Sequence, residues 1–105
     1  MNQIYLRLYV SEGQRHHGKP AYDWLLDEAK KLGVAGGTVF RALAGYGRHH
    51  TRHDAGFFEL AGDLPVMVEF FLPAEKADRF IARVHEEKFD LFYARIAAET
   101  GATGS

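Results

Sequence analysis

The sequence contains no cysteine among its 105 residues. This absence excludes disulfide bonds, thiolate nucleophiles and zinc sites with cysteine ligands. The net charge is only −1 at pH 7, so no overall charge attracts nucleic acid or a membrane surface. No apolar run approaches the roughly 20 residues of a membrane-spanning helix, and MNQIYLRLYV at the start does not have the pattern of a signal peptide. We therefore expect a cytoplasmic protein that neither inserts into membranes nor binds nucleic acid.

Groups for covalent or acid–base catalysis are also few. The only serines are Ser11 and Ser105, and neither lies beside a suitable histidine–aspartate pair. The neighbouring carboxylates Glu86 and Glu87 fall at the end of a predicted helix and are interpreted as solvated. We therefore expect a protein that is not an enzyme and requires no cofactor.

Hydrophobic residues make up 47% of the chain, which is enough for a packed core. Helical spacing of apolar residues follows Pro20 and again Pro73, and Gly33 is a candidate end for the first helix. Apolar and β-branched residues predict strands over residues 3–10, 37–44, 64–72 and 91–98. Residues 11–18 are polar and are predicted to form a loop.

The resulting order β-α-β-β-α-β predicts an α+β ferredoxin-like plait. Its antiparallel sheet would have the strand order 4-1-3-2, with both helices on one face. We predict a single domain over residues 1–99 and a flexible C-terminal tail over residues 100–105.

The sheet face that the helices leave open is predicted to be unusually apolar. Alternation places Tyr5 and Tyr9 there, together with Met67 and Phe71 if the third strand has the expected register. Large exposed apolar surfaces usually mark an interface, so we predict self-association through this face.

A charge also falls near the middle of each strand, and the alternation predicts a row with Glu69 between two arginines. We interpret this row as structural ion pairs, with part of an anion site as the alternative; its members are Arg7, Arg41, Glu69 and Arg95.

A long connection over residues 45–63 has the composition of a functional loop. Glycines in Gly45-Tyr46-Gly47-Arg48 would let the backbone approach a ligand, and Arg48 would add a charged fork for phosphate. Lys19 precedes a helix N-terminus, where anions are favoured. His49, His50 and His53 beside Asp54, with His16 and His17 on another loop, have a composition that also suits a metal.

Five short motifs together resemble those of a PII-like family of small prokaryotic proteins, domain-of-unknown-function family 190. They are GKP at 18–20, TVFR at 38–41, GYG at 45–47, DLP at 63–65 and VMVE at 66–69, and the resemblance covers residues 4–97. It implies a homotrimer packed through sheet faces, with adenine nucleotides bound in clefts between subunits. It also implies that the 45–63 loop contacts a regulated partner, for which a membrane transporter or channel is one class.

The glycine-rich phosphate loop of PII proteins corresponds here to HEEKFD at 85–90, where only Lys88 could contact a phosphate. The predicted ligand contacts are therefore Lys19, Arg41, Gly45, Tyr46, Gly47, Arg48 and Lys88. Our first hypothesis is a PII-like signalling protein that binds a small anionic ligand, with an adenine nucleotide expected. The alternative is a divalent-metal-binding or metal-homeostasis protein that uses His49, His50 and His53.

Overall fold

A computed structural model describes residues 3–45 and 64–104. In the described ranges the strands are β1 (Gln3–Ser11), β2 (Arg15–His16), β3 (Lys19–Pro20), β4 (Gly37–Arg41), β5 (Pro65–Pro73) and β6 (Phe92–Ala98), and the helices are α1 (Ala21–Lys31) and α2 (Ala74–Glu86).

The four long strands form an antiparallel sheet in the order β4-β5-β1-β6. Renumbered by the four predicted strands, this is the order 4-1-3-2, so the predicted fold is confirmed. The short strands β2 and β3 pair with each other, and β2 lies inside the 11–18 segment predicted to be a loop. That prediction was wrong because a two-residue ladder has no apolar alternation by which a sequence pattern could reveal it.

The core lies between the sheet and the two helices. Alternate residues of β1 and β5 are buried on this side, and Leu6, Val68 and Phe70 have almost no exposed surface. The helices contribute Trp24, Leu25, Ala29, Ala77, Phe80 and Val84 to the same cluster. Burying a large apolar side chain stabilises a fold by roughly 1.5–3 kcal/mol, so this layer is the main source of stability.

Both helices begin after a proline and end in the same backbone motif. Pro20 and Pro73 are the residues before the first helical turn. At the end of α1, Gly33 has φ +81°, its N–H donates to Lys30 O, and Val34 N–H donates to Ala29 O. This pair of bonds is a Schellman motif, and it confirms Gly33 as the helix stop.

In the described part of the chain, no helix has both the length and the apolar run needed to cross a bilayer.

The end of α2 uses lysine where α1 uses glycine. Lys88 has φ +57°, its N–H donates to His85 O at 2.9 Å, and Phe89 N–H donates to Val84 O at 3.3 Å. Phe89 and Val84 are both buried, as the motif requires. A residue other than glycine in this conformation costs roughly 1–2 kcal/mol, so α2 ends under local strain.

The sheet face opposite the helices, called the open face below, is as apolar as predicted. Ile96 is 58% exposed and Phe92 is 49% exposed, and the Tyr5 and Phe71 rings lie 5.0 Å apart. Arg7 donates hydrogen bonds to the hydroxyls of Tyr5 and Tyr9, and these bonds raise the pKa of its guanidinium. The register gives the open face these members: Tyr5, Arg7, Tyr9, Thr38, Phe40, Met67, Glu69, Phe71, Phe92, Ala94 and Ile96.

The predicted row of charges is wrong for two of its members. Arg7 does lie opposite Glu69, but Arg41 lies opposite Val66 and Arg95 opposite Leu6, which places both on the helix side. Arg95 there donates to Asp78 of α2 at 2.8 Å. The error arose because β4 and β6 carry apolar residues on both faces. Their sequences therefore do not show which face meets the helices.

Gly37 allows β4 to lie against the core. It pairs with Phe70, and a Cβ at position 37 would overlap the Phe70 ring and lie 3.0 Å from Leu26 Cδ2. We expect Gly37→Ala to lower the free energy of unfolding by about 1–3 kcal/mol, because the buried ring has no free space to move into. Gly36→Ala is the matched control, since nothing lies within 4 Å of a Cβ there. Equal stability of the two variants in urea denaturation would contradict this explanation.

Candidate functional site

Three strands end together at one end of the sheet, called the loop end below. Glu12 N–H, just after β1, donates to Leu64 O at 2.8 Å, and Ala42 N–H, just after β4, donates to Pro65 O at 2.9 Å. Backbone hydrogen bonds therefore fix the points near which the 46–63 segment leaves and rejoins the fold. The C-terminal end of α2 reaches the same region, because Glu87 contacts His16 and His17 in the β2–β3 hairpin.

The predicted ligand residues that the structure describes all come to the loop end. Arg41 ends β4, is exposed, and donates to Glu12 Oε2 at 2.5 Å. Lys19 lies in β3 before α1, Lys88 follows α2, and Gly45 is the last residue described before the segment. The other predicted contacts, Tyr46, Gly47, Arg48 and the alternative metal ligands His49, His50 and His53, lie outside the described residues. The ligand-binding roles of all these residues stay predictions.

Lys19 is held in place by an ion pair. Its ammonium donates a hydrogen bond to the Asp27 carboxylate on α1. This bond and the opposite charges raise the pKa of Lys19 and lower the pKa of Asp27. Both side chains are partly exposed, so an anionic ligand could share the ammonium with Asp27.

A groove of about 870 Å³ runs between α2 and β6. Its floor is apolar and includes Leu8, Ile81 and Tyr93, while His85 and Lys88 bring polar groups to its wall. The groove is large enough for a small ligand, since such sites are typically about 300–1,000 Å³. No sequence pattern indicated this groove, because it depends on how far α2 lies from the edge strand.

An ion-pair network links both helices to the β2–β3 hairpin at the loop end. The centre is Arg83 on α2, whose Nε donates to buried Glu28 of α1 at 3.1 Å and whose Nη1 donates to Glu87 at 2.6 Å. The other side of Glu87 faces the hairpin, with Oε1 at 2.9 Å from His16 Nε2 and 2.7 Å from His17 Nε2. Glu87 is thus a bound group, and its interpretation as solvated was wrong.

His16 is packed as well as hydrogen-bonded. Its ring centroid lies 4.5 Å from that of Trp24 and 4.6 Å from that of Phe89. The guanidinium of Arg83 lies over the Trp24 ring at 5.6 Å. The sequence pointed to His16 and His17 as a pair, but it could not show that Glu87, 70 residues later, would meet them.

The network changes the acidity of its members. The guanidinium of Arg83 and the bonds from His17 and His16 lower the pKa of Glu87 from 4.5 to about 2, and the pKa of Arg83 is raised in return. Burial acts to raise the pKa of Glu28, but Lys31 and Arg83 outweigh it, so the pKa of Glu28 is lowered. Both carboxylates are therefore ionised at neutral pH and fix the positions of the cations around them.

The lowered pKa of Glu87 predicts how stability depends on pH. Because its pKa is lower in the folded protein, its ionised form stabilises the fold above pH 4.5, and this contribution is lost as the pH falls towards about 2. We expect Glu87→Gln to show a shallower loss of melting temperature over this range than the native chain. Glu86→Gln is the matched control, because that neighbouring carboxylate is exposed. Parallel curves for the native chain and Glu87→Gln would refute the assignment.

Comparison with known sequences gives clear relatives. The model of family DUF190, described as Uncharacterized ACR, matches residues 3–91. A UPF0166 protein of Aquifex aeolicus is 43% identical over 79 residues, which are 75% of each chain. A UPF0166 protein of Methanocaldococcus jannaschii is 31% identical over 83 residues, covering 77% of this chain and 74% of that protein.

Comparison with solved structures identifies the same fold. CPII, a nitrogen regulatory PII-like protein from Thiomonas intermedia K12, was solved bound to ADP, AMP and acetate. It superimposes with a TM-score of 0.62 at 16% identity, over 94% of this chain and 90% of CPII. At this identity the similarity establishes a shared PII-like fold.

Proposed function

The chain belongs to the DUF190 family, and on this premise we propose that it is a PII-like regulatory protein that binds a small anionic ligand at clefts between subunits. An adenine nucleotide is the expected ligand. The observation that carries the proposal is that Lys19, Arg41 and Lys88 all lie towards the loop end, where the 46–63 segment leaves and rejoins the fold.

The charges and the backbone of the loop end suit a phosphate group. Within residues 3–45 and 64–104, Arg41 pairs with Glu12 and Lys19 with Asp27, and both cations remain partly exposed, so both can still donate to a ligand. Gly45 adds an exposed backbone without a side chain, and Arg48 would supply a planar fork that can bind phosphate through two bonds. The fold shared with CPII, which was solved with ADP and AMP, supports nucleotide as the ligand class.

The groove between α2 and β6 offers a place for the apolar part of such a ligand. Its walls combine Ile81, Tyr93 and Phe89 with the charged Lys88 and the imidazole of His85. A nucleotide has the matching chemistry, because its base is flat and apolar on both faces while its phosphates are charged. We infer that the base enters this groove and the phosphates point towards the loop end.

Oligomer formation would complete the site. The open face carries exposed Phe40, Phe71, Phe92 and Ile96, which is costly in water. We infer that copies of the chain cover this face in a homotrimer, as the resemblance to PII-like proteins implies. Clefts between the subunits would then place the loop end of one copy beside the next.

Regulation, rather than catalysis, is the inferred output. Ligand binding would change the conformation of the 45–63 loop and with it the docking of an unidentified partner, such as a membrane transporter or channel. This works only if the ligand prefers one loop conformation over another. Residence in the cytoplasm stays a prediction.

Arg48→Ala tests the ligand site. We expect the native chain to gain about 2.7 kcal/mol of stability from a nucleotide at ~100 times its dissociation constant, and the variant to gain markedly less. Thermal melting with AMP, ADP and ATP measures this. Arg79→Ala, on the exposed side of α2, is the control and should respond as the native chain does. An unchanged response of Arg48→Ala would remove that residue from the site, and no response of the native chain would reject nucleotides.

Ile96→Asp tests the oligomer. A charge at this exposed apolar position of the open face would have to lose water on assembly, so we expect the variant to be monomeric by light scattering after size exclusion. Ala97→Asp, on the next residue and therefore on the helix side, keeps the open face unchanged and should assemble as the native chain does. A native monomer, or an intact Ile96→Asp oligomer, would show that the open face is not the interface.

A further inference from the structure

We propose that His16, His17 and Glu87 form a divalent-cation site, with Zn²⁺ as the expected ion. Each residue offers one ligand atom, and the three atoms all lie within 4.8 Å of one another. The site uses none of the 45–63 loop histidines and none of the residues predicted to contact the nucleotide. The proposal is therefore independent of the proposed function.

The donor set and its spacing suit zinc. Two imidazoles and a carboxylate, with a fourth position open to water, are a common zinc arrangement. Tetrahedral zinc with bonds of about 2.0–2.1 Å would place its ligand atoms roughly 3.3 Å apart. The present Nε2–Oε1 distances of 2.9 and 2.7 Å need to open by only a few tenths of an ångström. Zinc would take the place of the two hydrogen bonds between the imidazoles and Glu87.

The surroundings hold two of the ligands ready. The rings of Trp24 and Phe89 fix the His16 imidazole, whose side chain is only 19% exposed. Arg83 binds Oε2 of Glu87 at 2.6 Å and leaves Oε1 facing the histidines. A donor on the second carboxylate oxygen is the kind of outer contact that orients metal ligands. His17, at 62% exposure, leaves the fourth position accessible to solvent.

The backbone around the cluster has conformations that are unusual for residues other than glycine. His17 and Gly18 have φ +51° and +80° and join β2 to β3 as a two-residue turn, a place where Asn-Gly is the favoured pair. Within residues 3–45 and 64–104, the non-glycine residues with positive φ are His17 and Lys88. His17 is a proposed ligand, and Lys88 directly follows the proposed ligand Glu87. Unfavourable backbone conformations of this kind concentrate at functional sites.

His17→Asn is the decisive variant, because asparagine suits the turn but removes the imidazole. Untagged protein, stripped with a chelator, is titrated with ZnCl₂ in a calorimeter. We expect about one Zn²⁺ per native chain and an affinity at least ~10-fold lower in both His17→Asn and Glu87→Gln. Charging with Co²⁺ gives a second readout, since its visible bands report tetrahedral coordination and should be lost in both variants.

Two controls separate this site from other histidines. His85→Asn changes an exposed histidine of α2 outside the cluster, and a triple alanine variant at His49, His50 and His53 removes the loop histidines. Both should keep the native zinc affinity. The proposal is overturned if the native chain binds no zinc, if His17→Asn and Glu87→Gln bind it unchanged, or if the triple variant loses it.

Discussion

The guanidinium of Arg83 connects both helices and, through Glu87, the β2–β3 hairpin. It donates to Glu28 on α1 and to Glu87 at the end of its own helix, and it lies over the Trp24 ring. Through Glu87 it also orients the β2–β3 hairpin. A buried carboxylate is costly without partners, so Glu28 depends on this contact and on the hydrogen bond from Lys31. This one cation therefore helps to hold both the α2 terminus and, through Glu87, the hairpin.

The two faces of the sheet have separate roles. The helix side supplies stability through a close-packed apolar layer, in which Gly37 lets the edge strand approach Phe70. The open face contributes little to the core of a single chain but offers aromatic surface and the Arg7–tyrosine contacts to a neighbour. At the loop end, charged residues project from elements that the core positions. Under the proposed function, this division would let the ligand contacts change without disturbing the packing.

Local patterns were enough to predict the fold. Alternation in β1, the two prolines before the helices and Gly33 after α1 are signals that lie within a few residues of the structure they specify. The placement of Arg41 and Arg95 was not predictable, because their strands carry apolar residues on both faces. The histidine–glutamate cluster was not predicted, since Glu87 lies 70 or more residues from the two histidines. The hairpin that presents the histidines also has only two-residue strands. Contacts between distant segments are set by the packed fold, which no local pattern encodes.

At position 88, a stable helix stop and a positive surface charge require different residues. Glycine at position 33 adopts its left-handed conformation freely, whereas lysine at position 88 does so at a cost of roughly 1–2 kcal/mol. Domains of this size have only about 5–15 kcal/mol of net stability, so the cost is a noticeable fraction of the total. Glycine at this position would be favoured where only the stability of the fold matters. Lysine gives a weaker helix stop but places a positive charge beside the groove.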